Sequence, residues 1–226
     1  MSTSGPLKLY SWPESGNSYK VRLLASLLKI ELEVQDLDFL KQEQKQDWFL
    51  KINPKGEVPT LVLPSGKILN DSAAILTYLA GKVAPESCYW SQDVEEQAEI
   101  VQWLAFAASW VQFGVFTARA ILSYGGAYNG LGTAQDTHLL EEAKIRGHKS
   151  LRILNDTLAQ QDWLALGRIT IADIAVFVYV ALAPMGDILL DGYEHVRAWI
   201  ERIKGLSGFI TIPGLDDPLI RRRHAQ

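Results

Sequence analysis

The fold is decided first at residues 7–37, which read LKLYSWPESGNSYKVRLLASLLKIELEVQDL. The stretch opens with a short β-like run, Leu7 to Ser11, and the turn-forming residues 12–17 interrupt it. Apolar residues then recur at helical spacing, which predicts a helix from about Ser18 to Leu28. Apolar and polar residues alternate over 31–37, which predicts a second strand. Because parallel strands need a crossover connection, these pieces form a βαβ unit.

The next forty residues extend this unit. A polar helix is predicted near 42–51, and two short strands, 60–63 and 67–70, flank a turn and read as a hairpin. A further helix is predicted over 71–80. The order βαβ, helix, ββα predicts a small mixed sheet with helices on its faces. This is the thioredoxin-like plan, an α/β domain that we assign to residues 5–83.

The remainder of the chain has a different pattern. Beyond a turn-rich stretch, only long helical periodicities are found, at residues 92–124, 137–160, 171–183 and 193–204. We therefore predict an all-α domain over residues 92–226. Four glycines mark the break between its first two helices: Gly125, Gly126, Gly130 and Gly132.

Composition excludes several classes of protein. The formal charge of −4 and pI near 5.6 disfavour a nucleic-acid partner. A single cysteine, Cys88, rules out an internal disulfide and fits a reducing compartment. Residues 1–6 lack the apolar core of a signal peptide, and Ile169–Pro184, the most apolar stretch, is shorter than a membrane span needs. We expect a cytoplasmic protein without a membrane partner.

Missing motifs narrow the chemistry further. The sequence has no Walker loop, no G-x-G-x-x-G, no H-E-x-x-H and no G-x-S-x-G. Its four histidines are scattered along the chain. We therefore expect no metal and no prosthetic group, and neither metal catalysis nor a Ser-His-Asp hydrolase is favoured.

Ser15 is a candidate catalytic residue because of its position in the chain. It stands just before a predicted helix, where free backbone N–H groups and the positive end of the dipole favour an anion. A hydroxyl at that point can donate a hydrogen bond to such an anion. If the anion is a thiolate, lowering the pKa of ~8.5 of a free thiol by ~2 units needs only ~2.7 kcal/mol. The alternative is that Ser15 only caps the helix.

Three motifs occur in order: Ser15-Gly16-Asn17-Ser18-Tyr19-Lys20-Val21-Arg22, Asn53-Pro54-Lys55-Gly56-Glu57-Val58-Pro59-Thr60-Leu61 and Asp71-Ser72-Ala73-Ala74-Ile75. Together they resemble the N-terminal domain of the cytosolic glutathione transferases. The resemblance covers about residues 7–82 and extends to Thr170-Ile171-Ala172-Asp173 in the helical domain. The tyrosine-dependent classes carry their catalytic phenol where this chain has Ser11. The resemblance is therefore to the serine-type members, theta/phi-like or of a bacterial or fungal class.

The resemblance assigns roles to residues of this chain. It implies that Ser15 stabilises the glutathione thiolate, with Ser18 as the alternative. It implies that the bond before Pro59 is cis and that the Val58 backbone pairs with the cysteinyl part of glutathione. Where the family commonly has glutamine, this chain has Glu57. The implied glutathione-binding residues are Gln44, Lys45, Glu57, Val58, Pro59, Asp71 and Ser72.

Asp71 and Ser72 also have a reading from the residues themselves. They open a predicted helix, so the Ser72 hydroxyl and N–H can hold a carboxylate while the Asp71 carboxylate pairs with an ammonium. These are the two charged groups at the γ-glutamyl end of glutathione. A plain helix cap is the alternative reading.

The implied activity is conjugation of the glutathione thiolate to a small hydrophobic electrophile, with glutathione as co-substrate. The family places its apolar pocket along the first helix of the second domain, and the candidate lining residues are Trp12, Trp110, Phe113 and Phe116. The same site would also serve a glutathione-dependent peroxidase, isomerase or reductive lyase. A non-enzymatic member that binds ligands or proteins is a further alternative. A homodimer is expected, as is usual for the family.

Overall fold

The computed structural model describes residues 5–39, 41–125 and 137–223. The chain divides into two compact units, the first formed by residues 1–90 with 207–212 and the second by residues 91–206 with 213–226. Three of the glycines predicted to break the helical domain, Gly126, Gly130 and Gly132, lie outside the described residues. Gly125 lies within them and ends a helix in the left-handed conformation, with φ of 68°.

The first unit contains a four-stranded mixed sheet. Its strands are β1 (Leu7–Ser11), β2 (Leu32–Asp36), β3 (Thr60–Val62) and β4 (Ile68–Asn70). They lie in the order β2-β1-β3-β4, with β1 parallel to β2 and the remaining pairs antiparallel. Leu9, in the centre of β1, faces Val34 on one side and Leu61 on the other. The predicted thioredoxin-like sheet is confirmed.

Two helices of the first unit begin at polar caps. The first, α1 (Gly16–Leu28), starts two residues earlier than the apolar spacing predicts because Ser15 caps it. It ends at Lys29, whose φ of 56° stops the helix. The helix α3 (Ser72–Tyr78) starts after Asp71 and continues to Val83 as a wider, π-helical turn. The two helices pack against each other.

The predicted helix over 42–51 is wrong in part. A 3-10 turn covers Glu43–Lys45, and a short helix, α2 (Asp47–Leu50), follows it. Gln46 separates the two in an extended conformation with ψ of 148°, and an extended residue cannot continue a helix. The polar composition of the stretch did not reveal this interruption.

A segment near the C-terminal end belongs to the first unit. After the last long helix of the second unit, residues 207–212 return to pack on α1. The Tyr19 hydroxyl donates to the carbonyl oxygen of Ile210 at 2.5 Å, and Ser26 Oγ donates to that of Gly208 at 2.7 Å. Gly208 has φ of 94°, and a Cβ there would lie 3.1 Å from the Ser26 carbonyl oxygen, so glycine suits the position.

The second unit is helical, as predicted. Its helices are α4 (Val94–Phe106), a π-helical stretch (Ala107–Phe116), α5 (Thr117–Tyr124), α6 (Thr137–Leu158), α7 (Ile171–Ala181), α8 (Glu194–Lys204) and α9 (Ile220–Arg223). Every residue of α7 is buried, and the helix lies within the predicted range 171–183. Its start is held by a capping box between Thr170 and Asp173.

The continuous helix Val94–Tyr124 is long and apolar. It is 31 residues long, its most apolar window has a mean hydropathy of 1.3, and 44% of that window is buried. By length and composition alone it could cross a bilayer. A core helix of a soluble protein has the same properties, so this helix is weak support for a membrane span.

Candidate functional site

Ser15 occupies the N-cap of α1. Its Oγ accepts a hydrogen bond from the backbone N–H of Ser18 at 3.1 Å, and its own N–H donates to the Trp12 carbonyl at 3.0 Å. A hydroxyl that accepts through a lone pair keeps its hydrogen for donation. The side chain is half-buried, at the positive end of a 13-residue helix. Ser15 therefore caps the helix and has a donor left for an anion.

Ser18 is placed differently. Its side chain is fully buried, and its Oγ has no hydrogen-bond partner within the described residues. A ligand sulfur could reach this hydroxyl only after the surrounding side chains moved. Ser11 is likewise fully buried. Of these three serines, only Ser15 presents its side chain partly to solvent.

The loop before β3 carries the predicted cis bond. The Val58–Pro59 peptide is cis, as predicted. The buried Asn53 side chain holds the loop: its Nδ2 donates to the Glu57 carbonyl at 2.9 Å and to Thr60 Oγ1 at 3.0 Å. Val58 is half-buried and Glu57 is exposed. The loop is thus fixed by one amide while its outer side stays accessible.

Gln44 and Lys45 lie beside this loop in different environments. Gln44 is buried, and its Oε1 has no partner within the described residues. Lys45 is exposed, and its Nζ donates to the Lys55 carbonyl at 3.2 Å. A Cβ on Gly56 would lie 2.6 Å from the Gln44 carbonyl oxygen, so only glycine allows this approach. Of the two candidates for the glycyl carboxylate, Lys45 is the accessible one.

Asp71 holds a strained backbone. Its φ is 81° and its ψ 132°, a region that residues with a side chain rarely adopt and that costs about 1–3 kcal/mol. Its Oδ1 accepts from the Ala73 N–H at 2.8 Å and so caps α3. Ser72, the first residue of α3, is buried. Such strain clusters at functional sites, which favours a binding role for Asp71 beyond the cap.

A buried lysine on α1 was not predicted from the sequence. Lys20 is only 5% exposed, and its Nζ donates to Asn17 Oδ1 at 2.9 Å. Burial lowers the pKa of Lys20 to about 8, and the charge of Asp71 opposes that shift. The available signal was the three-residue spacing of Asn17 and Lys20 on a helix whose neighbouring residues are apolar.

The aromatic candidates do not share one environment. Trp12 stacks on Phe39 in the first unit, with ring centroids 4.6 Å apart. In the second unit, Phe116 is buried and packs edge-on against Tyr179, with ring centroids 4.7 Å apart. Trp110 is 37% exposed beneath the Lys149 ammonium, and Phe113 is 55% exposed. Both exposed rings lie on the π-helical stretch, which has more residues per turn than an α-helix.

Comparison with known proteins agrees with this geometry. The glutathione S-transferase N-terminal domain family matches residues 5–81, and the glutathione S-transferase C-terminal domain family matches residues 106–206. Glutathione S-transferase D7 of Anopheles gambiae is 31% identical over 196 residues, 87% of this chain and 85% of that protein. Glutathione S-transferase GstA of Escherichia coli O157:H7 is 29% identical over 168 residues, 74% of this chain and 78% of that protein.

A solved structure extends the similarity to the whole fold. The crystal structure of a possible glutathione S-transferase from Rhodopseudomonas palustris superposes with a TM-score of 0.82 at 35% identity. The match covers 92% of this chain and 98% of that chain. The chain belongs to the glutathione S-transferase family.

Proposed function

We propose that the protein is a glutathione transferase in which Ser15 stabilises the thiolate of glutathione bound to the first unit. The observation that carries the proposal is the position of the Ser15 hydroxyl, which caps α1 and keeps a hydrogen free to donate. One charge-assisted hydrogen bond and the helix dipole together supply roughly 2–3 kcal/mol, enough to lower a thiol pKa by about 2 units. The thiol would then be largely ionised at neutral pH.

The rest of the tripeptide is proposed to lie along the neighbouring elements. The backbone of Val58, before Pro59, would pair with the cysteinyl residue, in the manner of an added strand. Lys45 has three ammonium donors and uses one on the Lys55 carbonyl, so donors remain for the glycyl carboxylate. Asp71 and Ser72 would take the γ-glutamyl ammonium and carboxylate. Glu57, exposed on the same loop, is proposed to contact glutathione through its backbone only.

The reaction we propose is nucleophilic conjugation. The thiol proton leaves to solvent, the thiolate attacks an electrophilic carbon, a C–S bond forms and the leaving group departs with its electron pair. Holding both reactants together supplies much of the rate gain. Trp12, Trp110, Phe113 and Phe116 remain the proposed residues for the apolar reactant. Glutathione is the co-substrate, and no other cofactor is proposed.

A steady-state screen tests the activity. The pure protein is assayed with glutathione against an aryl halide, an organic hydroperoxide and a mixed disulfide. Conjugation of the aryl halide supports the proposal. Turnover of the hydroperoxide or disulfide alone assigns a different glutathione chemistry to the same site. Glutathione binding without turnover of any of the three supports a non-enzymatic role.

We further propose a soluble, cytoplasmic homodimer. Family resemblance supports this, and the continuous helix Val94–Tyr124 and α6 carry exposed apolar side chains that could form the contact: Val101, Trp110, Phe113 and Ile145. Phe113 is therefore a candidate both for the subunit contact and for the apolar pocket. Replacing Phe113 by Ser separates these roles, because a changed mass in analytical ultracentrifugation assigns it to the contact. A raised KM for the electrophile at unchanged mass assigns it to the pocket.

A further inference from the structure

The first turn of α1 contains a buried ammonium that the proposed reaction does not use. Lys20 reaches back along the helix, and its Nζ donates to the Asn17 side chain at 2.9 Å. Asn17 is the second residue of the helix that Ser15 caps. The negative charge of Asp71, the cap of α3, also raises the pKa of Lys20. One side chain is thus coupled to both helix starts that the proposed glutathione site uses.

The contact with Asn17 fixes the direction of an amide. An ammonium has donors only, so it must face the oxygen of the Asn17 side chain. The amide nitrogen is then turned away from Lys20. A neutral or missing side chain at position 20 would leave this orientation undetermined. Lys20 therefore orders the first turn of α1.

The charge of Lys20 has a second consequence. A buried ammonium loses hydration, so the charged form is disfavoured unless an anion lies near. Here burial outweighs the attraction of Asp71, and the pKa of Lys20 is about 8. A ligand that brings further negative charge to the starts of α1 and α3 would favour the protonated form. By linkage, protonated Lys20 would favour that ligand equally.

We propose that Lys20 is a positioning residue of the glutathione site, holding Asn17 at the start of α1 and placing a positive charge between that turn and Asp71. The inference rests on the proposed function, because it takes glutathione as the anionic ligand. The tripeptide carries two carboxylates and one ammonium, so it arrives with a net negative charge. Binding would therefore take up a proton wherever Lys20 is neutral in the free protein.

The expected pH dependence follows from the sign of this coupling. Below about pH 8 Lys20 is already protonated, and binding is strongest. As the pH rises through that value, affinity falls because binding must first protonate the side chain. The charge of Asp71 at the start of α3 acts on Lys20, and Tyr19 and Arg22 are the neighbouring ionisable residues of α1. Burial raises the pKa of Tyr19 away from this range, and burial lowers the pKa of the Arg22 guanidinium from its very high ordinary value, with the charge of Asp36 opposing that shift.

The test uses S-methylglutathione, whose thioether sulfur carries no proton. Dissociation constants are measured by calorimetry from about pH 7 to about pH 9.5, for wild type, Lys20→Met and Lys29→Met. Lys29 lies exposed at the far end of α1, so its replacement removes the same charge without touching the site. The ligand's own amine titrates equally in all three proteins and cancels in the comparison.

We expect Lys20→Met to bind about tenfold more weakly than wild type near pH 7, with the difference disappearing near pH 9.5. Lys29→Met should follow wild type throughout, and Lys20→Arg should keep tight binding near pH 7. A merely structural role would lower affinity by a constant factor at every pH, and that result overturns the inference, as would equal affinities in all the proteins. Wild-type protein that binds no S-methylglutathione would instead contradict the proposed function.

The wild-type protein alone provides a second readout if a variant fails to fold. Calorimetry in two buffers of different ionisation heat reports the protons taken up on binding. Near pH 8.5 we expect more uptake by wild type than the free ligand's amine accounts for. Uptake equal to that of the amine alone would overturn the role of Lys20.

Discussion

The hydroxyl of Tyr19 on α1 donates a 2.5 Å hydrogen bond to the carbonyl oxygen of Ile210, 191 residues later in the chain. Tyr19 is fully buried, and burial raises the pKa of its phenol above the ordinary value, with the Arg22 charge opposing the shift. The phenol therefore remains a donor at neutral pH. The bond fastens residues 207–212 to the helix that begins after Ser15. Part of the stability of the first unit thus comes from the far end of the sequence.

We expect Tyr19→Phe to lower the free energy of unfolding by about 1 kcal/mol, because the Ile210 carbonyl loses its donor while the ring still fills its space. Urea denaturation measures this loss. Tyr10→Phe is the matched control, since the Tyr10 ring is buried in β1 and its hydroxyl makes no hydrogen bond within the described residues. Equal stability losses in the two variants would show that the bond to Ile210 contributes nothing specific.

The raised pKa of Asp173 should make the free energy of unfolding depend on pH. Burial raises the pKa of its carboxyl to about 6, although the N–H groups of Leu164 and Thr170 and the Trp199 indole donate to it. Because the folded pKa lies above the unfolded value of ~3.9, the folded state binds an extra proton between about pH 4 and pH 6. Protonation of Asp173 therefore stabilises the folded state fully below pH ~4, and this stabilisation is lost as the pH rises through about 6.

The test compares wild type with Asp173→Asn. We expect the stability advantage of wild type to grow by about 1 kcal/mol as the pH falls from about 7 to about 5, since the asparagine cannot titrate. Asp162→Asn is the control, because Asp162 is exposed and pairs with Arg202 at the surface. A wild-type advantage that stays constant over this range would contradict the raised pKa.

Ser15 should control turnover more than affinity. We expect Ser15→Ala to lower kcat by about tenfold or more, a loss of roughly 1.4 kcal/mol per decade, with glutathione affinity little changed. Ser15→Asp is the matched control for capping, because aspartate also caps a helix but places a negative charge beside the thiolate. If Ser15→Asp restores activity, or if Ser18→Ala proves inactive while Ser15→Ala retains full turnover, the assignment to Ser15 is wrong.

Asp71 and Ser72 should control recognition of the γ-glutamyl end. Losing one partner of a charge-assisted hydrogen bond costs ~1.5–3 kcal/mol, so Asp71→Ala or Ser72→Ala should weaken glutathione binding about ten- to a hundred-fold. Asp93→Ala is the control, since Asp93 caps α4 in the second unit through the N–H groups of Glu95 and Glu96. The affinities are measured by calorimetric titration. Equal affinities in all the proteins would show that Asp71 and Ser72 only cap the helix.

Local patterns predicted most of the fold. Strand β1 was placed correctly from its residues, and the long helices of the second unit were found within a few residues because their apolar spacing is regular. The 3-10 turn at Glu43–Lys45 was missed because polar residues carry no periodicity there. The return of residues 207–212 to α1 depends on hydrogen bonds across nearly the whole chain, which no local pattern encodes.

The local conformation around the candidate residues was predicted better than their burial. Ser15, Pro59 and Asp71 lie at turns and caps, where local sequence fixes the conformation. The burial of Gln44 and Lys20 depends on packing between elements, which the spacing of residues along the chain does not establish by itself. Trp110 and Phe113 lie on the π-helical stretch Ala107–Phe116, whose rotation per residue differs from that of the α-helix that the spacing predicted.

The pKa of the glutathione thiol in the bound complex tests the central claim most directly. It is measured from the ultraviolet absorbance of the thiolate as the pH is varied, in wild type and in Ser15→Ala at saturating protein. We expect a pKa about 2 units below the free value of ~8.5 in wild type, and a return most of the way to that value in Ser15→Ala. The same lowered pKa in both proteins, or an unshifted pKa in wild type, would contradict the account.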